Sequence, residues 1–204
     1  MAKVLVIGSG GREHAICWKF SQSPLVEEVF VANGNGGMDD VATVVNIKPL
    51  EFDKLIAFAK EEEIDLTFVS PEIPLCAGIV DAFKKEGLLV YGPSKDAAQL
   101  EGSKRFAKDM MAKYNIPTAK YASFDDYEKA KVYLSEQSCP IVLKADGLAA
   151  GKGVIIALTM EEAQEALKDM MCNEMFDGAG SSLVIEEYLE GEEERVIEAA
   201  HILK

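Results

Sequence analysis

The chain has 204 residues, a formal net charge of −14 and an apolar content of 49%. That length admits one large or two small domains with a sizeable core, and seven prolines and sixteen glycines exclude a fibrous or disordered chain. An acidic balance with no basic stripe argues against nucleic acid and anionic membranes as partners and suits a soluble cytosolic protein.

Val4-Leu5-Val6-Ile7 is a short apolar run closed by Gly8, which predicts a buried parallel strand and is far too short for a signal peptide or a membrane span. A helix is expected from about Glu13 to Gln22, then a strand at Val29–Ala32 ended by the glycine-rich Asn33–Gly37. Val44–Ile47 reads as a weaker strand, Glu51–Glu63 as a helix, and Leu66–Val69 as a strand closed by Ser70-Pro71-Glu72. A helix over Ala77–Glu86 and a strand at Leu88–Tyr91, closed by Gly92-Pro93, complete the series. Strands alternating with helices at this spacing imply βαβ units and a parallel sheet, so residues 1–100 form an α/β domain. Ser94–Tyr114 reads as helical and charged, with Lys104 opening a helix in it, and residues 101–118 as the connection between domains.

The second domain, residues 119–193, is expected to be α+β. Ala119–Phe124 predicts a strand, Asp125–Glu136 a helix, and Ile141–Lys144 and Val154–Leu158 two strands around a glycine- and alanine-rich loop. Thr159 with Glu162 three positions on is a capping box opening another helix, and Leu183–Leu189 is the last strand. The four cysteines, Cys17, Cys76, Cys139 and Cys172, are dispersed without a C-x-x-C pair, which argues against a zinc site or a disulfide framework and for a cytoplasmic location.

Two glycine motifs carry the chemistry. Gly8-Ser9-Gly10-Gly11-Arg12-Glu13-His14 lies between a strand and a helix, where backbone N–H groups and the helix N-terminus favour anions. It is not the G-x-G-x-x-G dinucleotide fingerprint, because Glu13 stands at the third glycine and would repel a pyrophosphate. The glycines alone explain a tight turn. Arg12, Glu13 and His14 at a sheet mouth, with Asn33–Gly37, Pro71-Glu72 and Gly92-Pro93 gathered at the same edge, point further, to a small phosphorylated ligand.

The second motif, Gly147-Leu148-Ala149-Ala150-Gly151-Lys152-Gly153, misses the P-loop pattern by one residue of spacing and is flanked by strands on both sides. It reads as a flexible lid able to donate N–H groups and one lysine charge to a triphosphate. Lys144, in an apolar strand, should alternate away from Leu143 and face a cleft; Lys104 is a second candidate for phosphate. Val184–Leu189 suits a nucleotide hinge, with backbone near Glu187–Leu189 available to an adenine edge and Glu192 or Glu193 to ribose hydroxyls, although an acidic solvated turn explains the same residues.

Taken together, the segments Val6–Ala15, Pro71–Asp81, Gly92–Lys104, Ile116–Ala119 and Lys144–Val154 resemble the glycinamide ribonucleotide synthetases (phosphoribosylamine–glycine ligases) over residues 1–193. The resemblance implies an ATP-grasp fold, with a pre-ATP-grasp parallel-sheet domain followed by the small α+β lid domain. It implies ATP-dependent joining of glycine to 5-phosphoribosylamine through glycyl phosphate, with Mg²⁺ or Mn²⁺ and no side-chain nucleophile. By position, Lys104 and Lys144 would contact phosphates, and Gly147, Leu148, Ala149, Ala150, Gly151, Lys152 and Gly153 would form the lid. Glu186 would face the adenine amino group, Glu187 and Leu189 would form the hinge, and Glu193 would hold ribose. Gly10, Gly11, Asn35, Pro71 and Glu72 would line the phosphoribosylamine side. A relative using formate or bicarbonate is the alternative within the ATP-grasp class.

The sequence departs from the family in having Asn33 where proline is usual and Ser70 where glycine is usual. Residues 194–204 find no counterpart by eye, and the second ATP-grasp subdomain, expected to carry the metal ligands, does not follow. The expectation for the free chain is therefore weak or absent ATP binding and no turnover. Two alternatives stand beside it: a non-catalytic phosphosugar-binding remnant, and one half of a split ligase whose partner chain supplies the remainder.

Overall fold

A computed structural model describes residues 1–147, 153–173 and 182–191. The chain divides into two compact units, Met1–Gly102 and Ser103–Lys204.

The first unit runs β1 (Ala2–Gly8), α1 (Gly11–Ser21), β2 (Val26–Asn33), β3 (Thr43–Val45), α2 (Phe52–Glu61), β4 (Leu66–Val69), α3 (Glu72–Ala77), α4 (Ile79–Lys85), β5 (Val90–Tyr91) and α5 (Lys95–Gly102). Its sheet is parallel with order β3-β2-β1-β4-β5. Alternate residues of β1 feed opposite faces. Leu5 and Ile7 pack with Phe30, Leu55 and Phe83, while Val4 and Val6 pack with Cys17, Val31 and Met38. Burial on both faces is why β1 reads as an unbroken apolar run rather than an alternating one. The order reverses direction at β1, and all strands end at one edge, so the loops after β1, β2 and β4 converge there.

The helix expected over Ala77–Glu86 is found as α4, and a short helix that was not expected, α3, precedes it. Gly78, at φ 96°, divides the two and closes α3 by donating its N–H to the Pro74 and Leu75 carbonyls at 3.1 and 3.0 Å. The helical segment Ser94–Tyr114 is two helices, the second opening at Lys104 as expected. Ser103, extended at φ −137°, accepts the Phe106 N–H on its hydroxyl at 3.1 Å and so starts a new helix.

That new helix, α6 (Lys104–Lys113), belongs to the second unit, with β6 (Tyr121–Phe124), α7 (Tyr127–Ser135), β7 (Ile141–Ala145), β8 (Val154–Ala157), α8 (Met160–Cys172) and β9 (Leu183–Glu187). The strands form an antiparallel sheet of order β6-β9-β7-β8. Ile141, Leu143, Ala157, Leu183 and Ile185 turn to one face and form a core with Ala130 and Leu134 of α7 and Ala163, Leu167 and Met170 of α8. The Thr159–Glu162 capping box is present: the Thr159 hydroxyl accepts the Glu162 N–H at 3.2 Å, and the Glu162 carboxylate accepts the Thr159 and Leu158 N–H groups. All four cysteines are free thiols. No helix among the described residues is long and apolar enough to cross a membrane.

Candidate functional site

In the second unit, α7 and α8 lie on one side of the sheet, and the opposite face meets α6 at β9 and carries the charged residues. Cross-strand register fixes its composition. Lys144 on β7 stands opposite Val154 and Val184, and Glu186 on β9 stands opposite Val142 and Tyr121. Lys144 therefore points away from Leu143, as expected. On the same face Val154 and Ile156 of edge strand β8 are 44% and 52% exposed, an apolar strip beside the charged pair.

Glu186 is buried, with 4% of its side chain exposed, and both carboxylate oxygens are engaged: Oε1 by Lys144 Nζ and Oε2 by Lys108 Nζ. Burial pulls the Lys144 ammonium below the usual lysine range, and the nearby charges of Lys108 and Lys104 push the same way. Burial also lowers Lys108, with Glu187 opposing. Two ammonium groups thus share one buried carboxylate, and a third, that of Lys104, is close enough to act on Lys144, an excess of positive charge suited to a polyanion.

The entrance to the loop between β7 and β8 is tied to the start of α6. Lys104 Nζ donates to the Gly147 carbonyl at 2.9 Å, and Asp146 accepts the Arg105 N–H and the Ser103 hydroxyl, each at 3.2 Å. At its far end the Ala145 N–H donates to the Gly153 carbonyl at 2.8 Å. Leu148, Ala149, Ala150, Gly151 and Lys152 of the expected lid lie outside the described residues, as do Glu192 and Glu193. At the end of β9, Glu187 pairs with Lys120 through its own N–H and through its carboxylate, each at 2.9 Å, and Leu189 beyond it is exposed.

In the first unit, the strand-end edge holds a cleft of about 460 Å³ lined by Gly8, Ser9, Gly10, Glu13, Asn33, Lys48, Leu50 and Pro71, among others. Glu13 is folded back into the glycine turn, buried, with Oε2 accepting the Gly10 N–H at 2.8 Å and Oε1 accepting from Arg12 Nε at 3.1 Å. Arg12 Nη1 reaches Glu72 at 2.9 Å. Gly11 opens α1 with free space about its Cα. Asn35 spans its loop, donating to the Ser9 carbonyl at 2.7 Å and accepting the Gly37 N–H at 2.8 Å. Both departures from the family pattern have structural consequences. Asn33 sits at φ 75°, a conformation that a proline ring forbids, and Ser70 lies close enough to Glu13 to help hold its carboxyl down. Burial pushes the Glu13 carboxyl up, but Ser70 and the hydrogen bonds from Gly10 and Arg12 together outweigh it and hold the group below the usual glutamate range.

Sequence reasoning missed Lys108, Val154 and Ile156. For Lys108 a signal existed: it lies four residues after Lys104, on the same face of one helix. The two apolar residues were read only as part of a strand, because nothing in β8 shows which of its faces packs on α7 and α8.

The sequence and fold were compared with known proteins. Residues 2–101 match the family described as phosphoribosylglycinamide synthetase, N domain, and residues 102–200 match its ATP-grasp (A) domain. The second match takes in 194–200, which found no counterpart by eye. A phosphoribosylamine–glycine ligase of Halalkalibacterium halodurans is 61% identical over 198 residues, covering 97% of this chain and 46% of that protein. The crystal structure of phosphoribosylamine–glycine ligase from Thermotoga maritima superposes with a TM-score of 0.74 at 35% identity, covering 94% of this chain and 45% of the other. The biotin carboxylase domain of the Hydrogenobacter thermophilus 2-oxoglutarate carboxylase, solved with MgADP, shares the fold at a TM-score of 0.72 and 22% identity, covering 92% of this chain and 44% of that one. The chain spans about half the length of the curated relatives it matches. With the N domain and the ATP-grasp domain matched in order and without a gap, the chain belongs to the phosphoribosylglycinamide synthetase family.

Proposed function

We propose that this chain contributes the N domain and the ATP-holding sheet of a cytoplasmic ligase that joins glycine to 5-phosphoribosylamine at the expense of ATP. The observation that carries the reading is the sheet face opposite α7 and α8, where Lys144 and Glu186 meet under Lys108 of α6 and Lys104 lies close by. Adenine lies along Val154 and Ile156, and the Glu186 carboxylate accepts its exocyclic amino group. Lys104 and Lys144 take the phosphates, and the loop at Gly147–Gly153 covers them. Leu189 offers backbone to the ring edge, and Glu187, engaged with Lys120, holds the hinge in place.

The chemistry asked of these residues is positioning and charge. The terminal phosphoryl passes to the glycine carboxylate with release of ADP, and the amine of phosphoribosylamine then attacks the acyl phosphate and expels phosphate. Ammonium groups fixed in a partly dry site stabilise the charge that develops on the transferred phosphoryl. Mg²⁺ or Mn²⁺ would further neutralise the phosphates when bound. Among the described residues no three histidine, cysteine or carboxylate side chains converge, so none is assigned to that ion. We place the sugar phosphate at the first-unit cleft, lined by Gly10, Pro71 and Lys48 among others, with Gly11, Asn35 and Glu72 as further candidates that do not line it.

ATP titration of the ¹⁵N-labelled chain tests the reading. Resonances of β7, β9 and the Gly147 turn are expected to shift, and Lys144→Ala should weaken the effect at least tenfold. Shifts confined to the first unit, or a Lys144→Ala variant indistinguishable from the parent, would overturn it. Glycine-dependent ADP release by the 204-residue chain measures turnover directly.

A further inference from the structure

Resting on that nucleotide reading, we propose that Lys108 is a positioning residue: the permanent counter-ion of Glu186 that leaves Lys144 able to move from the carboxylate to the phosphates of ATP. The argument is an asymmetry between the two lysines. Glu186 is the buried carboxylate that both of them share, one on each oxygen. A phosphate that draws Lys144 away removes half of that compensation, and a buried carboxylate left without a partner is strongly unfavourable. One of the two cations must therefore stay.

Lys108 is built to stay. Its side chain is 12% exposed against 29% for Lys144. Its ammonium has two further anchors, donating to the Thr118 hydroxyl at 2.7 Å and lying 5.5 Å from the centre of the Tyr121 ring. Tyr121 is itself fixed by donating its hydroxyl to Asp109, the next residue of α6, at 2.9 Å. Lys144, in contrast, is more exposed and has neither of these anchors: among the described residues its one ion pair is with Glu186. With two ammonium groups on one buried carboxylate, one can leave without stranding it.

The test is a set of variants of the 204-residue chain, titrated with ATP and with adenosine. In the parent, ATP binds more tightly than adenosine, because the triphosphate recruits Lys144. In Lys108→Met, Glu186 keeps Lys144 for itself, so ATP affinity falls at least tenfold while adenosine affinity changes less than threefold. Lys108→Arg retains the cation and the preference for ATP. The decisive variant is Lys108→Met combined with Glu186→Gln: with no carboxylate to hold it, Lys144 is released, and the preference for triphosphate over adenosine returns. A merely structural lysine would show no such rescue. Should Lys108→Met fail to fold, the double variant and Lys108→Arg still decide the matter. Equal loss of ATP and adenosine, unchanged ATP binding in Lys108→Met, or a double variant without triphosphate preference overturns the counter-ion role and leaves the nucleotide site standing. Absence of ATP-induced shifts on β7 and β9 in the parent overturns both.

Discussion

Glu13 shows how one side chain can shape a glycine turn. Its carboxylate accepts the Gly10 N–H and fills the turn after β1, so that amide is engaged within the protein. Hydrogen bonds keep the carboxyl below the usual glutamate range against the effect of burial, so its stabilising contribution is full above the unfolded pKa, about 4.3, and is lost as pH falls through the lower folded value. Glu13→Gln should cost roughly 1–3 kcal/mol at pH 7. The stability gap between parent and variant should close as urea denaturation is repeated at pH values below about 4. A gap that stays constant down to pH 3 would mean that the carboxylate charge contributes nothing. Gly8 is the complementary half of this arrangement. It sits at φ 131°, and a Cβ there would fall 2.5 Å from Glu13 Cγ and 2.8 Å from Pro71 Cγ. Gly8→Ala should therefore destabilise by about 1–3 kcal/mol, through backbone strain as well as crowding, measured by the same denaturation.

At the scale of elements, helix starts decide where functional lysines go. Ser103 restarts the chain as α6 and sets the phase that turns Lys104 and Lys108 to one side. Without the break, Lys104 would continue the α5 helix and its direction would be set by that helix instead. Thr159 does the same for α8, whose Ala163, Leu167 and Met170 close the core behind the face that carries Lys144 and Glu186. Thr159→Ala should cost about 1 kcal/mol in chemical denaturation, without altering which lysines meet that face. The register of β7 between β8 and β9 is the other determinant. A slip by one residue would exchange Lys144 for Leu143, and the buried face would reject it.

For the whole molecule, the division into two units has a consequence for folding. The first unit contains its entire five-stranded sheet, and both of its apolar clusters draw only on residues 1–102. A fragment of residues 1–102 should fold alone, giving helix-and-strand circular dichroism and one cooperative denaturation transition. A fragment with a broad, non-cooperative profile would show that its core needs the remainder of the chain.

What the sequence determined by itself was local or periodic. The apolar run Val4–Ile7, the strand–glycine–helix junction, the Thr159–Glu162 box and the position of Lys144 opposite in phase to Leu143 all follow from spacing along a few residues, and all are found in the fold. The family motifs were legible because their order along the chain is itself a sequence property, and the domain matches bear that reading out. The short helix α3 and its end at Gly78 were not legible, since glycine is compatible with both a continued and an interrupted helix, and long-range packing selects between them. Lys108 was hidden for a different reason. Its partner lies 78 residues away on β9, and only pairing of β9 with β6 and β7 brings that carboxylate under α6. A buried charge takes its meaning from the groups that surround it in space, and those were set by tertiary structure.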